Sequence, residues 1–82
     1  MTNAEWIESN PIRKFRIEKG LSVVDAAREW GVASPNLTQW EHGLCFPNGE
    51  NTIIMGKVMP NFWLELQEWN KKKPVDENQT GK

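Results

Sequence analysis

The chain has 82 residues, of which 38% are hydrophobic and 26% are charged, and its formal net charge is −1. This composition is ordinary for one small globular domain, and it excludes a uniformly basic nucleic-acid coat but not a locally basic face. One Cys and one His exclude a disulfide framework and a thiolate-rich zinc site. No apolar run approaches the roughly 18 residues that a membrane span needs. We therefore expect a cytoplasmic, non-catalytic protein without a cofactor or a bound metal.

The first third of the chain predicts two helices. Thr2 or Asn3 can cap a short helix that carries Trp6, although residues 1–9 are ambiguous on sequence alone. Pro11 then begins a second helix at its first position, where the missing N–H costs nothing. Gly20 ends that helix, as a residue in the left-handed conformation does.

Two further short helices follow, over residues 23–30 and 34–42. Ser22 caps the first, and Gly31 opens a four-residue turn between the two. Ala33 or Ser34 caps the second. Residues 52–59 and 62–72 complete the set after a loop of about seven residues. We expect an all-α, compact bundle of four to five helices over residues 1–73 and a disordered tail over residues 74–82.

Helices 23–30 and 34–42, joined by a tight turn, are typical of a helix-turn-helix, whose second helix fits the DNA major groove. The chain resembles the Cro/phage-repressor (lambda-repressor-like, Xre-type) helix-turn-helix family over about half of its length. The resemblance rests on IRKFR at 12–16, GLS at 20–22, Ala27, GV at 31–32, LTQWEHG at 37–43 and Pro47. It implies a lambda-repressor-like bundle that binds double-stranded DNA and regulates transcription, in the manner of a phage or mobile-element repressor. It also implies a homodimer, because one such domain reads half of a palindromic site.

The resemblance further implies an ion pair between Arg16 and Glu41 that links two helices. If the pair is buried, loss of one partner would cost about 3–5 kcal/mol. The alternative is a solvated surface pair worth less than about 1 kcal/mol.

The resemblance also implies that the outer face of helix 34–42 reads the bases, through Ser34, Asn36, Thr38 and Gln39. Asn and Gln can bond adenine bidentately, and the Thr methyl group can contact thymine. The alternative is a polar face that only meets solvent, and helix capping alone would explain Ser34.

Candidate phosphate contacts are Arg13, Lys14, Ser22, His42 and Lys57. Two features depart from the family. Val23 replaces a polar residue that is common there, and the loop over residues 44–48 has no Lys or Arg. Few neutralised phosphates predict weak, salt-sensitive binding by one domain, so that a second copy or a partner would be needed.

The last helix predicts the possible dimer contacts, Trp63 and Trp69. Phe62 and Trp63 diverge by about 100° around the helix axis, so one of them, most plausibly Trp63, should reach the surface. A single exposed apolar residue on a monomer is the alternative.

A second function also stays open, in which the bundle is a protein-interaction module that uses this helix and binds DNA weakly or not at all. Cys45 is expected to be a small apolar filler.

Overall fold

The computed structural model describes residues 2–74, and the remainder of the predicted tail, residues 75–82, lies outside the described residues. Within residues 2–74 all regular secondary structure is helical. The helices are α1 (Asn3–Glu8), α2 (Pro11–Glu18), α3 (Val23–Trp30), α4 (Ser34–Glu41), α5 (Glu50–Val58) and α6 (Phe62–Lys71). The predicted all-α bundle is confirmed, with six helices in place of four to five. None of these helices is both long enough and apolar enough to cross a membrane.

The additional helix is α1, and local hydrogen bonds explain why it forms. Thr2 and Glu5 make a capping box, in which the Thr2 hydroxyl accepts from the Glu5 N–H at 3.1 Å. The Glu5 carboxylate accepts in return from the Thr2 N–H at 2.7 Å. Ser9 ends α1, and Asn10 caps α2 immediately afterwards, so no extended linker separates the two helices.

The middle of the chain follows the predicted boundaries closely. Ser22 caps α3 by accepting from the Asp25 N–H at 3.1 Å. Gly31 ends α3 at φ 78°, a left-handed conformation in which a side chain would be strained. The later boundaries shift by one or two residues: α4 ends before His42, α5 begins at Glu50 rather than at residue 52, and α6 ends one residue early.

The core forms where α2 packs against α4 and α6, and where α3 packs against α4 and α5. Twelve hydrophobic side chains are buried in it: Trp6, Ile12, Ala26, Ala27, Trp30, Leu37, Trp40, Met55, Met59, Phe62, Leu66 and Trp69. Full burial of a large aliphatic or aromatic side chain contributes about 1.5–3 kcal/mol. Within residues 2–74 every buried side-chain nitrogen and oxygen atom has a hydrogen-bond partner.

Trp6 and Trp69 join α1 to α6 and so close the bundle. Their rings stack with centroids 3.9 Å apart and planes within 2° of parallel. Each indole N–H donates to the backbone carbonyl of the other tryptophan, at 2.9 Å from Trp6 and 2.7 Å from Trp69. We call this pair the tryptophan clasp. Trp69 is only 5% exposed in it, so the expected dimer contact at Trp69 is wrong.

Candidate nucleic-acid interface

The inner face of α4 is held by the core and by one ion pair. Leu37 and Trp40 are buried one turn apart, as a helix that packs on one face requires. α4 packs against α3 and α2 through this face. The opposite face is thereby turned away from the bundle.

The ion pair is the one predicted between Arg16 of α2 and Glu41 of α4. The guanidinium binds both carboxylate oxygens, with Nε–Oε2 at 2.7 Å and Nη2–Oε1 at 3.0 Å. Its remaining nitrogen, Nη1, donates to the Leu21 carbonyl at 2.8 Å. Arg16 and Glu41 are 8% and 2% exposed, so the pair is the buried alternative rather than the solvated one. A bidentate, buried pair fixes the orientation of α4 on α2 as well as its distance.

The outer face of α4 carries uncharged polar side chains. Thr38 and Gln39 are exposed and Asn36 is half-buried. Asn36 and Gln39 lie three residues apart and therefore on neighbouring positions of one face. Gln39 Oε1 accepts a hydrogen bond from the Cys45 thiol at 3.1 Å. Cys45 is exposed beside this face, so its expected role as an apolar filler is wrong.

The amino-terminal end of α4 is open. Ala33 is the N-cap, of the two caps that the sequence allowed, and it makes no side-chain hydrogen bond to the first turn. Ser34 stands half-buried at the first helical position. A helix end without a side-chain cap leaves N–H groups free for water or for an anion such as a phosphate.

The predicted phosphate contacts belong to four different helices or their caps. Ser22 already serves as the cap of α3. The His42 Nδ1–H donates to the Thr38 carbonyl at 2.8 Å, which ties that ring to the last turn of α4. Arg13 is half-buried on α2, and Lys57 is exposed in the last turn of α5.

Lys14 is exposed on the side of α2 that is turned away from Arg16. Two residues along a helix correspond to a rotation of about 200°, and Arg16 is the residue that faces α4. Lys14 instead lines a groove between α2 and α6 that also contains Glu18, Glu65 and Glu68.

Within residues 2–74 no three His, Cys, Asp or Glu side chains form a group that could hold a metal ion.

Asn10 is the site residue that the sequence argument missed. Its side chain is fully buried, and its Nδ2–H donates to the Trp40 carbonyl of α4 at 3.1 Å. An Asn directly before a proline that starts a helix signals an N-cap. The long-range bond to Trp40 has no such local signal.

Trp63 reaches the surface of α6, as the divergence of Phe62 and Trp63 predicted. It is 45% exposed and packs edge-on against Phe62 with ring centroids 5.9 Å apart. Beside it lies a cavity of about 140 Å³, whose apolar lining comes from Phe46, Trp63 and Leu66. This is an apolar surface feature distinct from the outer face of α4.

No protein-family model, curated protein or solved structure matches this chain. The resemblance to the Cro/phage-repressor family therefore stays a prediction.

Proposed function

We propose that this protein is a sequence-specific DNA-binding regulator of transcription in the cytoplasm, of the phage or mobile-element repressor type, and that it reads the major groove with α4. The observation that supports this most directly is the division of α4 into two faces. Leu37, Trp40 and Glu41 are buried, whereas Thr38 and Gln39 are exposed. Among residues 2–74 no internal hydrogen bond uses the Asn36 amide, so it is free to meet a base edge.

The charge distribution predicts weak binding by one copy. The outer face of α4 has no charged side chain, and Lys14 is directed into the groove between α2 and α6. Phosphate contacts supply most of the non-specific affinity of DNA-binding proteins. We therefore propose that the protein binds DNA as a homodimer, with Trp63 as the contact between copies.

The decisive experiment selects duplexes from a random DNA library and measures affinity for a selected and a random duplex. Asn36→Ala and Gln39→Ala should each cost about 1–3 kcal/mol on the selected duplex and little on the random one. Asn61→Ala is the control, since it removes an exposed amide that lies outside α4 and outside the lining of the cavity beside Trp63. Equal losses on both duplexes, or no enrichment at all, would contradict base reading by α4.

Exposed Trp63 and its adjoining cavity favour a second candidate, a protein-interaction module. Sedimentation of the wild type and of Trp63→Glu at micromolar concentration separates the two. If the protein is a regulator that dimerises through Trp63, the wild type sediments as a dimer and Trp63→Glu sediments as a monomer. The monomeric variant then binds the selected duplex less tightly than the wild type. Leu64→Glu, which alters the neighbouring exposed residue, controls for the added charge. A monomeric wild type that fails to enrich DNA would favour the interaction module.

A further inference from the structure

The last turn of α4 is contacted by a residue that lies outside the α3–α4 pair. Carbonyl groups in the last turn of a helix have no partner within the helix and must find one elsewhere. The Trp40 carbonyl accepts from the Gly43 N–H at 3.2 Å and from Asn10 Nδ2 at 3.1 Å. Asn10 is therefore a direct bond from the start of α2 to the end of α4.

The oxygen of the Asn10 side-chain amide fixes the direction in which its nitrogen donates to Trp40. Asn10 Oδ1 accepts from the N–H of Ile12 at 2.8 Å and from the N–H of Arg13 at 3.1 Å. The carboxamide is thus held by three hydrogen bonds in a fully buried position. Its donor group points to one place on α4.

Two neighbouring contacts act on the same end of α4. Arg16 binds Glu41, one residue after Trp40. The Trp6 ring of the tryptophan clasp lies so close to Gly43 that a Cβ there would stand 2.6 Å from Trp6 Cη2. Asn10 lies between Trp6 and Arg16 in the sequence, so the three contacts come from α1, α2 and the junction between them.

We propose that Asn10 is a positioning residue, which sets the angle at which α4 presents Asn36 and Gln39. This inference rests on the proposed function, because it concerns the accuracy of base reading. Base-edge hydrogen bonds depend on orientation, and a binding site needs its supporting residues to hold it within about 10–20°. Phosphate contacts carry no sequence information. Loss of the Asn10–Trp40 bond should therefore lower specific binding more than non-specific binding.

Asn10→Asp and Asn10→Ser test the proposal. Both substitutions keep an oxygen that can cap α2, since Asp and Ser are good N-cap residues, and both remove the donor to Trp40. Asn61→Asp is the matched control: Asn61 is also an N-cap, at α6, and it makes no side-chain cap bond. The charge that Asp adds changes the affinity for both duplexes alike. The ratio of the affinities for the selected and the random duplex therefore cancels its effect.

The ratio of the two affinities should fall about five- to tenfold in both Asn10 variants, a change that corresponds to the net value of one hydrogen bond. In Asn61→Asp the ratio should stay unchanged. Circular dichroism at the assay temperature verifies that the helices remain. An unchanged ratio in a folded Asn10→Ser variant would overturn the proposal.

Amide hydrogen exchange keeps the inference separable from the proposed function. Exchange at His42, Gly43 and Leu44 should speed up about fivefold or more in both Asn10 variants, while the α6 amides keep their wild-type rates. If wild-type protein does not discriminate between duplexes, the proposed function fails, and a positioning role in base reading fails with it. If the wild type does discriminate, and exchange at His42, Gly43 and Leu44 in the Asn10 variants stays at the wild-type rate, only the inference about Asn10 is wrong.

Discussion

The two ends of α4 are built in opposite ways. At the carboxyl end, Asn10 donates to the Trp40 carbonyl, Arg16 pairs with Glu41, and the Trp6 ring lies close against Gly43. At the amino end, the Ala33 cap offers no side-chain bond. The difference shows how a helix can be firmly placed while most of its outer face stays free.

This arrangement separates the residues that stabilise α4 from those available to a ligand. The anchoring contacts are buried, where an unpaired polar group costs about 1–3 kcal/mol. The outer-face residues are exposed or half-buried, and substitution of such residues usually changes stability by less than about 0.5 kcal/mol. Substitutions at the two ends should therefore have very different effects on folding.

The largest difference is expected between Glu41→Ala and Asn36→Ala. Removal of the carboxylate leaves the Arg16 guanidinium buried without its charge partner, which should cost about 3–5 kcal/mol of unfolding free energy in urea denaturation. Asn36→Ala should cost less than about 0.5 kcal/mol. Glu68→Ala removes the exposed pair with Lys71 and should cost less than about 1 kcal/mol. A loss below 1 kcal/mol for Glu41→Ala would show that the carboxyl end is not anchored by charge.

Gly43→Ala and Gly20→Ala form a second test, with a smaller expected effect. Both glycines have a positive φ, 70° and 71°, so alanine is strained equally at the two positions. A Cβ at Gly20 would meet no atom within 4 Å, whereas one at Gly43 would clash with the Trp6 ring. Gly43→Ala should therefore cost about 1–3 kcal/mol more than Gly20→Ala. Equal losses in thermal unfolding would mean that Trp6 gives way without cost.

Local rules accounted for much of the fold. Ser22, Gly31 and Pro11 mark helix ends by their own backbone chemistry, and the predicted bounds of α3 match the structure. Leu37 and Trp40 stand three residues apart, the spacing of one helical face, and both are buried. Such signals lie within a few residues of the structure that they specify.

Contacts between distant residues could not be predicted from these rules. The bond from Asn10 to Trp40 spans 30 residues, and the tryptophan clasp spans 63. The sequence left Trp69 available as a dimer contact because nothing near it shows that Trp6 covers it. The position of Lys14 in the groove between α2 and α6 likewise follows only from the packing of these two helices.

The smallest expected effect concerns α1, which carries Trp6 to the anchored end of α4. The pKa of Glu5 is lowered from 4.5, first by the hydrogen bond from the Thr2 backbone N–H and then by the Thr2 side chain. A lowered folded-state pKa stabilises the fold fully above the unfolded value, and this contribution disappears as the pH falls through the folded value. The stability advantage of wild type over Glu5→Gln should therefore be constant from pH 7 to about 5 and shrink below pH 4.5. Urea denaturation at each pH measures it, and an advantage that grows on acidification would contradict the capping box as the cause.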